Sequence, residues 1–66
     1  MQIQLNGEHH QILSGTTIST LLAAEGLAER RVAVEVNGAI VPRAQHAQYL
    51  LHDGASVEIV HALGGG

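Results

Sequence analysis

Val32-Ala33-Val34-Glu35-Val36-Asn37-Gly38-Ala39-Ile40-Val41 is the stretch that settles the architecture. Val32, Val34 and Val36 alternate with shorter or polar residues, so they share one face of a strand, and β-branched side chains suit a pleated, half-buried surface. Asn37-Gly38 follows, and both residues tolerate the positive φ angles of a two-residue type I′ turn. Ala39-Ile40-Val41 then returns as the partner strand. Pro42 has no N–H to give a ladder, so it closes that short strand or places it at an edge.

The same grammar recurs toward the N-terminus. Gln2-Ile3-Gln4-Leu5 alternates with period two, Asn6-Gly7 is a second type I′ turn, and Glu8 to Leu13 reads as the returning strand. Between the two hairpins lies one helix. Thr16 or Thr17 can cap its first free amides, and Ile18, Leu21 and Leu22 form one apolar stripe. Gly26 is placed to end the helix in the left-handed conformation, with Leu27 as the apolar contact beyond it. Glu29-Arg30-Arg31 reads as a solvated connection. On the C-terminal side, Ala44 to Leu51 is expected to give one helical turn and a short strand. Asp53-Gly54 is a third turn, and Ser56 to His61 is the final strand.

The order is therefore β-β-α-β-β-(turn)-β. Sequential strands pair antiparallel, one amphipathic helix covers one face, and the final strand is satisfied if it lies parallel to the first. That arrangement is an α+β fold, the β-grasp or ubiquitin-like fold. The expected form is a mixed sheet of four to five strands packed on one helix. Residues 1–63 are expected to form the domain, and 64–66 a flexible C-terminal glycine tail.

Composition bounds what such a domain can be. A chain of 66 residues without cysteine has neither disulfides nor thiolate metal sites as staples, and its 45 % apolar content is almost wholly aliphatic. Three arginines, no lysine and six acidic residues give a net charge of −3, which argues against nucleic-acid and anionic-membrane partners. No apolar stretch reaches the ~20 residues of a membrane span. Met1 to Gln11 is polar and alternating instead of a leader-like apolar run, so the expected compartment is the cytoplasm.

Conventional catalytic and metal patterns are missing. Five histidines are present, but His9 and His10 are neighbours on a strand and point to opposite faces. His46, His52 and His61 fall on separate segments, and the expectation is surface histidines without a metal site. Ser14, Ser19 and Ser56 lie outside any nucleophile-elbow motif. What remains is the tail. Gly64-Gly65-Gly66 costs entropy to order and buries nothing, so it adds little to the fold. Extended from Ala62 to Gly66, the backbone reaches about 13 Å, thin enough to enter a channel that side chains would block.

Four segments together carry a family resemblance: M-Q-I-Q-L-N-G at Met1 to Gly7, V-N-G-x-I-V-P-R at Val36 to Arg43, D-G-x-x-V-E-I-V at Asp53 to Val60, and the A-L-G-G-G end. The chain resembles the ThiS family, the sulfur carriers of thiamine biosynthesis, over essentially its whole length. The resemblance implies a protein co-substrate and not an enzyme. An E1-like adenylyltransferase of the ThiF type uses ATP to adenylate Gly66, and a sulfur-donor protein converts it to a thiocarboxylate. Thiazole synthase of the ThiG type then takes the sulfur. Gly64 and Gly65 supply reach, and no cofactor is bound by the carrier itself. Partner binding is expected at Val60, Ala62 and Leu63, with Arg43 at the rim, on the sheet face away from the helix. The alternatives are a molybdopterin-synthase-type carrier, a ubiquitin-like modifier and a plain interaction module.

Overall fold

The computed structural model describes residues 1–61. Five strands form one sheet: β1 (Gln2–Leu5), β2 (Glu8–Gln11), β3 (Val32–Val36), β4 (Ala39–Val41) and β5 (Ser56–His61). One helix, α1 (Ile18–Ala24), joins the two hairpins, and a single 3₁₀ turn (Arg43–Gln45) follows β4. The strand order is β2-β1-β5-β3-β4. The last strand thus enters the middle, parallel to β1 and antiparallel to β3. This is the mixed β-grasp sheet that the alternation and turn signals predict, with five strands.

The turns form for the reason the sequence suggests. Asn6 and Gly7 have φ of 50° and 85°, and Asn37 and Gly38 have 53° and 87°. Positive φ at both central positions matches the right-handed twist of the flanking strands, which a type I turn would splay.

Thr17 is the helix cap. Its Oγ1 accepts a hydrogen bond from the Thr20 amide at 3.1 Å. Thr16 is buried instead, and its hydroxyl donates to the Leu13 carbonyl at 2.6 Å. At the other end the Leu27 amide donates to the Leu22 carbonyl at 2.7 Å and the Gly26 amide to that of Ala23 at 3.1 Å. This pair of bonds is a Schellman motif, and Gly26 occupies its left-handed position at φ 75°. Ile18, Leu21 and Leu22 lie against a sheet face built from Ile3, Leu5, Val34, Val36, Val57 and Ile59. Each such side chain contributes roughly 1.5–3 kcal/mol on leaving water, the main source of stability in so small a domain.

Three expectations need correction. β2 stops at Gln11 and does not run to Leu13. Ile12 still exchanges backbone bonds with Met1, but Leu13 is 83 % exposed and the chain turns at Gly15, whose φ is 92°. The short strand expected before Leu51 is reduced to one bridge between Thr17 and Leu50. That segment is tied to the start of α1 instead of to the sheet: the Ile18 amide donates to Tyr49 and the Leu51 amide to Thr16. Finally, His46 is not a surface residue. It is 5 % exposed, and its Nε2 lies 3.0 Å from the Val41 carbonyl. A carbonyl can only accept, so Nε2 carries the proton in the neutral ring.

Candidate functional site

β5 is the element that presents whatever follows it. It is hydrogen-bonded on both sides, and its side chains alternate: Val57 and Ile59 are buried in the core, while Ser56, Glu58 and Val60 face outward. Its last pairing sets His61 opposite Val32, the first residue of β3. The described part of β5 therefore ends where the α1–β3 connection arrives. Ala62, Leu63, Gly64, Gly65 and Gly66 lie outside the described residues.

Two different surfaces border this exit. The first is the sheet face away from α1. Val60, 55 % exposed, sits beside Ala33 across the β5–β3 ladder, and Ile40 is exposed opposite Glu35 on the β3–β4 ladder. Glu35 and Glu58 are also direct cross-strand partners, so two carboxylates share this face beside the apolar residues. Like charges directly opposite one another in a sheet are unfavourable.

The second surface lies on the helix side. A cavity of ≈ 330 Å³ opens between α1, the α1–β3 connection and the 3₁₀ turn, lined by Ser19, Leu22, Arg30, Val32, Arg43 and His46 among others. Arg43 belongs here and not to the face that carries Val60. Sequence reasoning put Arg30 in a solvated connection. The structure brings it to the same cavity as Arg43, thirteen positions away in the chain. Composition shows only that basic residues are few, three arginines and no lysine; that two of them meet at one cavity appears only in the fold.

Other candidates stay apart. His9 is level with Gln4 and His10 with Ile3, so the two rings occupy opposite faces of β2, as their adjacency requires. His10 reaches Glu25 at 3.1 Å, linking the edge strand to the end of α1. Among the described residues, no group of three or more histidine, cysteine, aspartate or glutamate side chains is placed to hold a metal ion. No helix among them is long and apolar enough to cross a membrane.

Comparison with known proteins gives this geometry its context. The model of the ThiS family matches residues 3–66, a span that includes the glycine run. The chain belongs to the ThiS family. The sulfur carrier protein ThiS of Escherichia coli is 33 % identical over 66 residues, covering 100 % of both chains. The crystal structure of the thiamine biosynthesis protein ThiS from Geobacter metallireducens superposes with a TM-score of 0.87 at 29 % identity, over 100 % of both chains. Two longer relatives are thiazole synthases, from Magnetococcus marinus at 44 % identity and Paramagnetospirillum magneticum at 41 %. All of this chain aligns with each, but it spans only 20 % of their length. The β-grasp unit is thus a ThiS-family domain, and the family match covers both the sheet and the glycine run.

Proposed function

We propose that the domain delivers sulfur as a thiocarboxylate formed at Gly66, acting as a co-substrate of other enzymes in the cytoplasm. The observation that carries the reading is the ThiS family match, which extends from Ile3 in β1 to residue 66 and so takes in the glycine run. A carboxylate is a poor acyl donor because oxide is a poor leaving group. Adenylation by an ATP-using, ThiF-type enzyme solves this: the carboxylate oxygen attacks the α-phosphorus of ATP and expels pyrophosphate, and sulfide-level sulfur from a donor protein then attacks the carbonyl carbon as AMP leaves with that oxygen. No cofactor is needed on the carrier itself. Gly64 and Gly65 serve as a slender lead into the partner's channel, and Val60, Ala62, Leu63 and Arg43 serve as contacts at its mouth. The relatives named thiazole synthase support thiazole synthase as the acceptor, since a stretch matching this entire chain forms a fifth of each.

The test is intact mass spectrometry of the chain ending at Gly66 after incubation with ATP, a ThiF-type adenylyltransferase and a sulfur donor. The expected product is heavier by the exchange of one oxygen for sulfur, and deletion of Gly66 abolishes it. Covalent conjugates to other proteins would instead establish a ubiquitin-like modifier. An unchanged mass with several activating enzymes would leave only an interaction module. Transfer of the sulfur to a molybdopterin precursor, and not to the thiazole, would move the carrier to that pathway.

A further inference from the structure

We propose that the Arg30–Arg43 cavity is a docking pocket for an acidic side chain of the protein that receives the tail, set beside the tail's root. The inference rests on the carrier reading for the identity of that protein, and on the following geometry for the pocket itself.

The domain is acidic overall, with a net charge of −3 and three arginines as its whole complement of permanently cationic side chains. Two of those three line one cavity of ≈ 330 Å³, and no aspartate or glutamate lines it with them. Among the described residues the one ion pair within 4.0 Å is His10 with Glu25, so neither guanidinium is neutralised there. Arginine presents a planar fork of donors that matches a carboxylate in bidentate fashion. Two arginines lining one cavity, with no ion pair to either among the described residues, make a site that attracts an anion in a protein of net negative charge.

The walls indicate what kind of anion. Leu22 and Val32 give the cavity an apolar side, which suits a polypeptide segment carrying a carboxylate more than a free inorganic ion. A phosphate site is commonly cradled by unspent backbone amides at a helix start. Here those amides are already used. Ile18 donates to the Tyr49 carbonyl at 3.1 Å, Ser19 to that of His46 at 3.1 Å, and Thr20 to the Thr17 hydroxyl at 3.1 Å. The start of α1 therefore offers the ligand no free amide among these three, and the two arginines are the cationic donors that remain, which favours a carboxylate.

Position completes the case. Val32 lines the cavity and is also the cross-strand partner of His61, the last described residue before the tail. A partner that draws the glycine run into its own active site therefore brings its surface over this pocket. His46 forms part of the same wall and holds the turn that carries Arg43, since its ring bonds the Val41 carbonyl.

The experiment compares three single charge reversals, R30E, R43E and R31E, for binding to the ThiF-type adenylyltransferase and to thiazole synthase by calorimetry. Arg31 does not line the cavity, so R31E makes the same change in net charge without touching it. R30E and R43E are expected to weaken binding to at least one of the two enzymes by about tenfold or more, while R31E changes it by less than about threefold. Equal losses in all three would overturn the pocket in favour of diffuse electrostatic attraction. No loss in any, with wild-type binding intact, would overturn it outright while leaving the carrier reading in place. Failure of wild-type protein to bind either enzyme or to gain sulfur would remove the carrier reading first, and the docking proposal with it. Titration with inorganic phosphate, followed by amide NMR, supplies the remaining arm. Saturable shifts at Ser19, Arg30 and Arg43 at low millimolar phosphate, without an effect of the reversals on protein binding, would overturn the proposal in favour of a phosphate site. Circular dichroism of each variant establishes that an exposed substitution has left the fold unchanged.

Discussion

Asn6 carries more of the fold than its place in a turn suggests. Its backbone takes φ 50°, its amide donates to the Val57 carbonyl at 2.8 Å, and its Oδ1 accepts the Ile59 amide at 2.7 Å. The side chain therefore extends the β1–β5 ladder one rung past the point where the backbone has turned away. Asn37 does the same on the other flank of β5, accepting the Ser56 amide at 2.9 Å. We expect Asn6→Ala to lower stability by about 2–3 kcal/mol, from the left-handed φ and the lost hydrogen bond together. Asn6→Gly, which relieves the φ but not the bond, should cost about 1 kcal/mol. Urea unfolding of the pair measures the difference, and equal losses would show that the side-chain bond contributes nothing. The turn itself was legible as an Asn-Gly pair between alternating residues. The bond to Ile59 was not, because it joins positions 53 apart and depends on where β5 inserts. His46 was misread for a related reason. Nothing in its local sequence shows that a 3₁₀ turn folds its ring back onto Val41.

Among the elements, α1 shows how little intrinsic helicity is needed when caps and packing agree. Seven residues are too few to hold a helix alone in water. Thr17, the Gly26 motif and the buried Ile18, Leu21 and Leu22 make it persist. Each of these features is local, which explains why the helix could be read directly. The outer face of the β3–β5 pair is less settled. Glu35 and Glu58 are direct partners there, a placement that no single strand's alternation reveals until the register is fixed. Glu58→Lys should raise stability by about 0.2–1 kcal/mol through an opposite-charge pair. Because both groups lie on the sheet surface, the gain should fade as salt shortens the screening length. Urea midpoints at low and high ionic strength check this, and a destabilised variant at low salt would refute the pairing.

For the molecule as a whole, the sheet and the helix were legible because period two, period 3.6 and three Gly-containing turns all pointed to one topology. The candidate site was legible only in part. Val60 could be assigned to the outer face from the alternation of one strand, and it is exposed there. The partnership of Arg30 with Arg43 was not readable, because it arises where a helix–strand connection meets a 3₁₀ turn, and neither element has a periodic signal. Contacts between irregular segments are set by the packing of the regular ones behind them. The two surfaces beside the tail are thus of different kinds. One is a strand face written in the sequence, and the other is a junction that exists only after folding.

The parallel pairing of β1 with β5 gives the domain a mechanical property as well. β1 begins at the N-terminus and β5 ends at the tail, so a pull on both ends drags these strands lengthwise past each other. The bonds from Gln4 to Ala55, Asn6 to Val57 and Ile59 to Asn6 then share the load and must rupture together. A pull between residues 31 and 61 acts differently. It separates β3 from β5 starting at the Val32–His61 pair and opens that antiparallel ladder one rung at a time. Single-molecule stretching should therefore record a higher rupture force from the two termini than from positions 31 and 61, and equal forces would contradict it. A pull on the glycine run therefore meets the greater resistance when the domain is held at its N-terminus, and the lesser when it is held beside Val32.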